Sequence, residues 1–159
     1  VQTVADEAAF EATISMAAGI AAALSQREFL IDLVAIGATI HRLQAGRALA
    51  QVEHILALLA CLEPSSQVDW PVVTAALLAE APHLTAMVAL WLDWTPQHAA
   101  WVSQWQEMGV TVQSIVMRHG ATTLPAPALP PELFVQLAPG EAFPHPAVSE
   151  KTRQAERVS

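Results

Sequence analysis

The sequence has little cysteine and little positive charge, and each shortage excludes a class of protein. Cys61 is the single cysteine, so an intramolecular disulfide is impossible and nothing indicates an oxidising compartment. Seven Lys and Arg residues stand against 15 Asp and Glu residues, which gives a formal net charge of −8. An acidic surface repels phosphate backbones and anionic lipids. We therefore expect no nucleic-acid partner and no direct membrane contact from this segment.

Catalytic and metal-binding motifs are also missing. No Gly-x-Gly-x-x-Gly, Gly-x-x-x-x-Gly-Lys or Gly-x-Ser-x-Gly sequence occurs, so dinucleotide binding, P-loop phosphate binding and a serine nucleophile have no support. The six histidines form no His-x-x-x-His or His-x-His pair, and Cys61 has no cysteine partner at ligand spacing. We therefore expect no cofactor and no histidine- or cysteine-based metal site.

No targeting segment or membrane span is evident in the sequence. The first eleven residues contain three acidic side chains and no basic one, which is the wrong charge for a signal peptide. The longest apolar run, 16–24, is far shorter than the ~20 residues that cross a bilayer. The first residue is valine rather than methionine, so we expect the chain to be a piece of a longer protein.

Apolar sequence is abundant, because 53% of the 159 residues are hydrophobic, enough for a sizeable core in one domain. Up to residue 118, helical and strand-like periodicities alternate. The pattern predicts helices over 6–24, 46–62, 69–81 and 95–109, and strands over 29–36, 39–43, 84–92 and 110–117. The strand at 84–92 is apolar throughout, which favours a central position. Helices that feed apolar strands predict an α/β fold with three layers, α/β/α, around a mostly parallel sheet.

The composition changes near residue 119. Seven of the 11 prolines follow Arg118, so we divide the chain into a domain over 1–118 and a proline-rich C-terminal extension over 119–159. Regular structure is not expected in the extension. Its apolar patch is the expected anchor to the domain and comprises Leu133, Phe134, Val135 and Leu137.

Three residues within the predicted domain are candidates for a site or an ion pair. Asp93 stands at the carboxyl end of the strand at 84–92, where open α/β sheets bind ligands, although a carboxylate there also caps loop amides. Trp94 follows on the loop to the next helix. Its cluster of tryptophans favours core packing, and the alternative is an exposed binding surface. Asp32 lies inside an apolar strand and is expected to pair with a partner such as Arg42.

Several segments stand in an order that matches a known family. They are 10–18 (FEATISMAA), 31–37 (IDLVAIG), 45–56 (AGRALAQVEHIL) and 89–94 (ALWLDW), followed by the helix at 101–109 and the strand at 110–117. Together they resemble the C-terminal half of the bacterial domain-of-unknown-function 58 family. These are von Willebrand factor A-like proteins that are often associated with MoxR-type AAA+ ATPases.

The resemblance also bears on metal binding. Typical members of this fold hold a metal ion with Asp-x-Ser-x-Ser on the first strand, a Thr on a second loop and an Asp on a third. Asp93 matches the third position, the first motif is absent, and the second loop reads Ala45-Gly46-Arg47 without a threonine. One of three oxygen-bearing loops remains, so we expect no bound metal. Asp93, Trp94 and Arg47 are kept as candidates for an interaction surface.

The resemblance implies a von Willebrand factor A-like (Rossmann-like) fold that lacks its first, central strand. That strand would lie between those at 29–36 and 84–92, and a bare gap would leave buried backbone groups unpaired. Residues 1–5 could pair there as a stub, or a second copy could supply the strand in a homodimer. The third possibility, which we favour, is that the strand belongs to an upstream part of a longer protein.

The implied function is a non-catalytic protein-interaction domain that works with a MoxR-type AAA+ ATPase in the assembly or maturation of other proteins. Its expected location is the cytoplasm, or the cytoplasmic face of the inner membrane through an upstream anchor. The competing class is an enzyme that uses Asp93 in a cleft at the strand ends, which requires convergent polar groups. A third is a structural fragment that is stable only beside the rest of its parent chain.

Overall fold

The computed structural model describes residues 4–27, 31–36, 39–45, 49–65, 67–79 and 81–143. The chain has the α/β class expected from the sequence, and each element predicted up to residue 118 is present. The predicted starts at 29 and 46 lie outside the described residues, and the other ends differ by at most three residues. The elements in chain order are α1 (Val4–Ser25), β1 (Ile31–Ile36), β2 (Ile40–Ala45), α2 (Leu49–Ala60), α3 (Trp70–Leu78), a short 3-10 helix (Ala81–His83), β3 (Ala86–Trp91), α4 (Pro96–Glu107), β4 (Thr111–Met117) and β5 (Phe134–Leu137).

Local sequence signals set the ends of two helices. The Asp69 side chain accepts a hydrogen bond from the backbone N–H of Val72 at the start of α3, and the Thr95 hydroxyl accepts one from His98 at the start of α4. Each helix has a proline in its first turn, where no N–H is needed. Gly109 follows α4 with φ +87°, a conformation that terminates helices and that glycine adopts without strain.

The strands form two sheets. β3, β4 and β5 make a parallel three-stranded sheet in which Ala89, Ser114 and Phe134 stand side by side. β1 and β2 form a separate antiparallel hairpin, as the short connection between the two predicted strands indicates. The prediction of a mostly parallel sheet is therefore confirmed for β3, β4 and β5. It is wrong for β1 and β2, which form an antiparallel pair outside that sheet.

Helices cover both faces of the parallel sheet, so the three layers are present. On one face, Met16 and Ile20 of α1 pack against Ile115 and Met117 of β4. On the other face, a larger core forms between α4, α3 and the sheet. Its buried residues are Val73, Leu77, Ala89, Trp91, Trp94, Trp101, Val102, Trp105, Val110, Val112, Val116 and Phe134.

Helix α1 also links the two sheets. It contacts β1 and α2 on one side and β3 and β4 on the other. Within the described ranges, Ala5–Ser25 is long and apolar enough to cross a membrane, a weak criterion that the core helices of soluble proteins also meet. The sequence-based expectation that no segment reaches this length is therefore not confirmed. α1 contacts both sheets, but only 11% of its apolar window is buried, and signal sequences near an N-terminus meet the same criterion.

The C-terminal extension contributes a strand, so the expectation of no regular structure there is wrong for Phe134–Leu137. The reason is that residues 132–138 contain no proline, which leaves their N–H groups able to pair with β4. The expected anchor is confirmed, because Phe134 and Leu137 are buried and Leu133 and Val135 are half-buried. The fold therefore continues across residue 118. Residues 144–159 of the extension lie outside the described residues.

Among the described strands, β3 lies at an edge of its sheet, although the sequence favoured a central position for it. The carbonyl of Thr85 accepts a hydrogen bond from Thr111 on β4, at 3.1 Å. Because backbone groups alternate along a strand, the N–H and C=O groups of Ala86, Val88 and Leu90 point away from β4. Within the described ranges no strand pairs with that edge, and none joins β3 to β1. If a central strand is missing between β1 and β3, as the resemblance implies, β1 and β3 cannot pair with each other, and they do not.

The open edge predicts alternating amide protection along β3. The N–H of Val88 should exchange with solvent deuterium at least tenfold faster than those of Met87 and Ala89, because only the latter two bond to β4. Hydrogen exchange followed by NMR at low protein concentration measures this. Equal protection of all three amides would show that another strand occupies the edge.

The anchor predicts that Phe134→Ala destabilises the whole domain. The side chain is 6% exposed and packs in the large core, so its loss should lower the free energy of unfolding by about 3 kcal/mol. Leu129 in the same extension is 47% exposed, and Leu129→Ala should cost less than about 0.5 kcal/mol. Denaturant unfolding measures both variants. Equal, small effects would mean that the extension does not stabilise the core.

Candidate functional site

Asp93 lies where the sequence predicts, just beyond the carboxyl end of β3, and its carboxylate has several donors. Oδ1 accepts hydrogen bonds from the backbone N–H groups of Trp94, at 2.8 Å, and Thr123, at 3.0 Å. Oδ2 accepts one from the Thr123 hydroxyl, at 2.5 Å, and lies 3.6 Å from Nη1 of Arg118. The side chain is 24% exposed. Both oxygens are thus used within the molecule, on the solvent-facing end of the sheet.

These contacts tie the C-terminal extension to the end of β3. Thr123 follows Asp93 by 30 residues, and its neighbour Leu124 donates a backbone hydrogen bond to the carbonyl of Trp94, at 2.7 Å. Arg118 adds a hydrogen bond from Nε to the carbonyl of Ala121, at 3.0 Å. The alternative role expected for Asp93, the capping of a loop amide, is observed at the backbone N–H of Trp94. The longer tie to Thr123 has no sequence signal, since the two residues belong to separate loops.

The charge state of Asp93 follows from its donors. Partial burial raises the pKa of Asp93, but the hydrogen bonds from Thr123 and Trp94 and the positive charge of Arg118 outweigh this effect. The pKa of Asp93 therefore lies below its ordinary value, and the carboxylate is ionised at neutral pH. A general acid or base that works near neutral pH has its pKa shifted in the opposite direction.

Trp94, the second interaction candidate, is not exposed at this surface. Trp94 is 5% exposed, so the hypothesis of an exposed binding residue is wrong and the core-packing alternative is confirmed. Its ring meets Phe134 edge to face, with centroids 5.0 Å apart, because the extension folds back over the loop. Arg47 lies outside the described residues. Asp32 pairs with Arg42 at 3.6 Å, as expected, on the exposed side of the hairpin.

His98 belongs to the same cluster and was not singled out by the sequence. Its Nδ1 lies 2.9 Å from the carbonyl oxygen of Asp93, so that nitrogen carries the proton. The ring stacks on Trp91 with centroids 4.4 Å apart and meets the edge of Trp70. Burial lowers the pKa of His98, against the opposing effect of Asp93. The available signal was its position in the first turn of a helix, directly after a strand end.

The cluster offers little to a metal ion. Among the described residues, no three His, Cys, Asp or Glu side chains come together as ligands. The Arg118 guanidinium beside Asp93 is unfavourable for a cation, and the N–H donors orient toward the carboxylate oxygens. Carboxylates that bind Ca²⁺ or Mg²⁺ need further oxygen ligands close by.

A cleft of about 420 Å³ lies next to this cluster, between α4, β4 and the extension. Trp94, Val102, Phe134 and Leu124 line much of it, and no charged residue does. Asp93 is not among its lining residues. The structure therefore separates the carboxylate at the strand end from the concave surface beside it, whereas an enzyme of the kind weighed above needs both in one place.

Comparison with protein-family models, with curated proteins and with solved structures finds no match for this chain.

Asp93→Ala should loosen the extension. The variant loses three hydrogen bonds and the contact with Arg118, so we expect the free energy of unfolding to fall by about 1–3 kcal/mol. Thr123→Val, which removes only the hydroxyl donor, should cost less than Asp93→Ala. Both are measured by denaturant unfolding, with hydrogen exchange of the Thr123 and Leu124 amides as the local readout. Unchanged exchange at these amides would contradict the proposed tie.

The same contacts predict a pH dependence. Because the folded pKa of Asp93 lies below that of the unfolded chain, about 3.9, its contribution to stability is fully present only above about pH 5. The contribution is lost as the pH falls through the folded pKa. The stability difference between wild type and Asp93→Asn should therefore shrink between about pH 4 and pH 2. A constant difference over that range would show that ionisation of Asp93 is not stabilising.

Proposed function

We propose that this chain is a non-catalytic protein-interaction domain of von Willebrand factor A-like type, which completes its sheet with an extended segment and works with a MoxR-type AAA+ ATPase. The observation that carries the interaction role is the open edge of β3. The ATPase partner rests on the resemblance of 6–118 to the domain-of-unknown-function 58 family. The role in the assembly or maturation of other proteins has the same basis.

The β3 edge lacks the features by which proteins protect exposed strands. Its six residues, AMVALW, include no charge and no proline, and Val88 is 41% exposed. Natural edges of this length are usually blocked by lysine, proline or a bulge, because unpaired N–H and C=O groups bind other strands. An unprotected apolar edge favours pairing with an extended segment, in which the main chain gives affinity.

β1 supports the same proposal from the other side. It pairs only with β2 among the described strands, and its Val34 and Ile36 pack on the large core that includes Trp91 of β3. The hairpin and the parallel sheet therefore share one hydrophobic core without a shared hydrogen-bond ladder. A strand inserted between β1 and β3 would join them into a single sheet, as the resemblance implies.

Three sources of that strand follow from the resemblance and from symmetry. They are an upstream part of a longer protein, which we favour, a second copy of the chain, or a partner protein. An upstream part would also supply any anchor to the cytoplasmic face of the inner membrane. The runner-up function, an enzyme that uses Asp93, has less support because Asp93 bonds internally and stands outside the cleft.

A proline placed on the edge tests the interaction role. The N–H of Val88 points away from β4, so Val88→Pro removes a donor from the open edge without breaking the β3–β4 ladder. Val88→Ala is the matched control, because it loses a similar apolar surface and keeps the N–H. Binding of each variant to a purified MoxR-type ATPase from the same organism is measured by biolayer interferometry, and self-association by sedimentation.

We expect wild type and Val88→Ala to bind the ATPase or self-associate with similar affinity, and Val88→Pro to lose at least tenfold. If Val88→Pro and Val88→Ala bind the ATPase equally, the ATPase is a partner but does not contact the β3 edge. If wild type does not bind the ATPase, the proposal that a MoxR-type ATPase is the partner is wrong. If wild type neither binds the ATPase nor self-associates, the proposal that the β3 edge is an interaction surface of this chain is wrong.

A further inference from the structure

β1 and β3 lie in the same layer of the fold. Alternate side chains of β1 point to opposite faces, so that Leu33 packs with α1 and α2, whereas Val34 and Ile36 pack on the large core. β3 repeats this arrangement, because Leu90 packs in the core that α1 forms with β4 and β5, and Trp91 belongs to the large core. Each strand therefore has α1 on one face and the large core on the other.

This layer is open between the two strands. Within the described ranges no hydrogen-bond ladder joins β1 to β3. Apolar side chains around the opening are incompletely covered, since Val88 of β3 is 41% exposed and Leu33 and Val34 of β1 are half-buried. Ile14 and Ala17, on the side of α1 that packs against β1, are also half-buried. The opening is thus bounded by two strand edges and two covered faces.

The opening has the width of about one strand. Helix α1 contacts both β1 and β3. A helix with its side chains is ~10–12 Å wide, and neighbouring strands lie ~4.8 Å apart, so two strands under one helix leave room for about one strand between them. A strand that already belongs to a folded sheet brings its neighbour with it. β3 of a second copy would bring its β4, which would meet β1.

We propose that this opening takes a single extended segment, uncharged and apolar on both faces, which pairs with β3 along one edge and with β1 along the other. The inference rests on the proposed function, whose open β3 edge it uses. A charged side chain would lie between α1 and the large core without a partner, because Asp32, the charged residue of β1, already pairs with Arg42. Strands covered on both faces are continuous apolar runs.

This geometry selects among the three sources of the strand. An upstream part of a longer protein, which we favour, can supply a lone strand with two free edges. The β3 edge of a second copy cannot, because its other edge is paired with β4. The segment gains main-chain hydrogen bonds on both sides, twice the number that addition to β3 alone provides.

Peptides added to the full chain test the chemistry of the segment. The probe has the core sequence VLVAVLV between lysine ends that keep it in solution. The control has the core VNVSVNV between the same ends, which is apolar on one face only. Binding is followed by ¹H–¹⁵N NMR at the amides of β1 and β3. We expect the probe to bind at least tenfold more tightly than the control, since both faces of the bound segment are covered.

N-methylated probes separate insertion from addition at one edge. Methyl groups on alternate core amides block one edge of the peptide, and methyl groups on the intervening amides block the other. We expect each set to weaken binding at least tenfold. On binding of the unmethylated probe, hydrogen exchange should slow at Val88 and at the β1 amides that do not bond to β2, because both strands gain a partner.

The two substitutions at Val88 check the site. Val88→Pro should weaken binding of the probe at least tenfold, because it removes a donor from the β3 edge. Val88→Ala keeps this N–H and should bind within about twofold of wild type. Preserved amide dispersion in the NMR spectra shows that each variant is folded.

Four results would overturn the proposal. They are absence of probe binding, equal binding of probe and control, weakening by only one of the two N-methylated sets, and protection of Val88 that rises with the concentration of the chain alone while β1 is unchanged. The third result would show addition at one edge and the fourth pairing with a second copy, and both would leave the β3 edge as an interaction surface. Failure of the ATPase to bind, together with the expected peptide results, would contradict the proposed partner and leave the insertion standing.

Discussion

Backbone hydrogen bonding within a parallel sheet is the constraint on which the rest of this structure depends. A buried strand needs partners on both edges, because its N–H and C=O groups cannot reach water. β4 satisfies this requirement, with β3 on one side and β5 on the other, and its Val112, Ile115 and Val116 are almost fully buried. The C-terminal extension therefore completes the hydrogen bonding of β4, because it contains β5. Among the described strands, β3 meets the requirement on one edge only, and its other edge has no partner there.

The end of β3 combines a polar tie with an aromatic core. Trp70, Trp91 and Trp101 lie with ring centroids 5.7–6.0 Å apart, and His98 stacks beside them. Such rings bury large areas, and within the described residues the indole N–H groups of Trp91, Trp101 and Trp105 are buried without a hydrogen-bond partner. Asp93 stands directly above this core and secures the loop that closes it. A carboxylate at a position that often serves ligands in α/β proteins is here used to hold the protein's own chain.

Features encoded within a few residues could be predicted from the sequence. The caps at Asp69 and Thr95, the stop at Gly109 and the α/β class follow from local chemistry and periodicity. The position of Asp93 at a strand end followed in the same way. The helical period of Trp101 and Trp105 predicts that Met108 also faces inward, yet Met108 is 42% exposed because α4 ends at Glu107.

Features that depend on distant residues could not be predicted. The burial of Trp94 results from Phe134, which lies 40 positions further along the chain, and the partner of Asp93 is Thr123. The prolines of 119–159 indicate irregular structure, and this signal is stronger than that of the short apolar run that forms β5. The hydroxyl of Ser114 carried no sequence signal either, because only the packing around it shows that it is buried.

The order of the elements has a consequence for how the chain folds. β3, α4, β4 and β5 occupy one continuous stretch, 86–137, and β1 pairs with the strand that follows it. Each sheet can therefore form from contacts close in sequence, which is the condition for rapid folding. Helix α1 contacts both sheets and is the first element in the chain. Its docking therefore needs contacts that are distant in sequence, and it joins the hairpin to the parallel sheet, with which the hairpin also shares the large core through Val34 and Ile36.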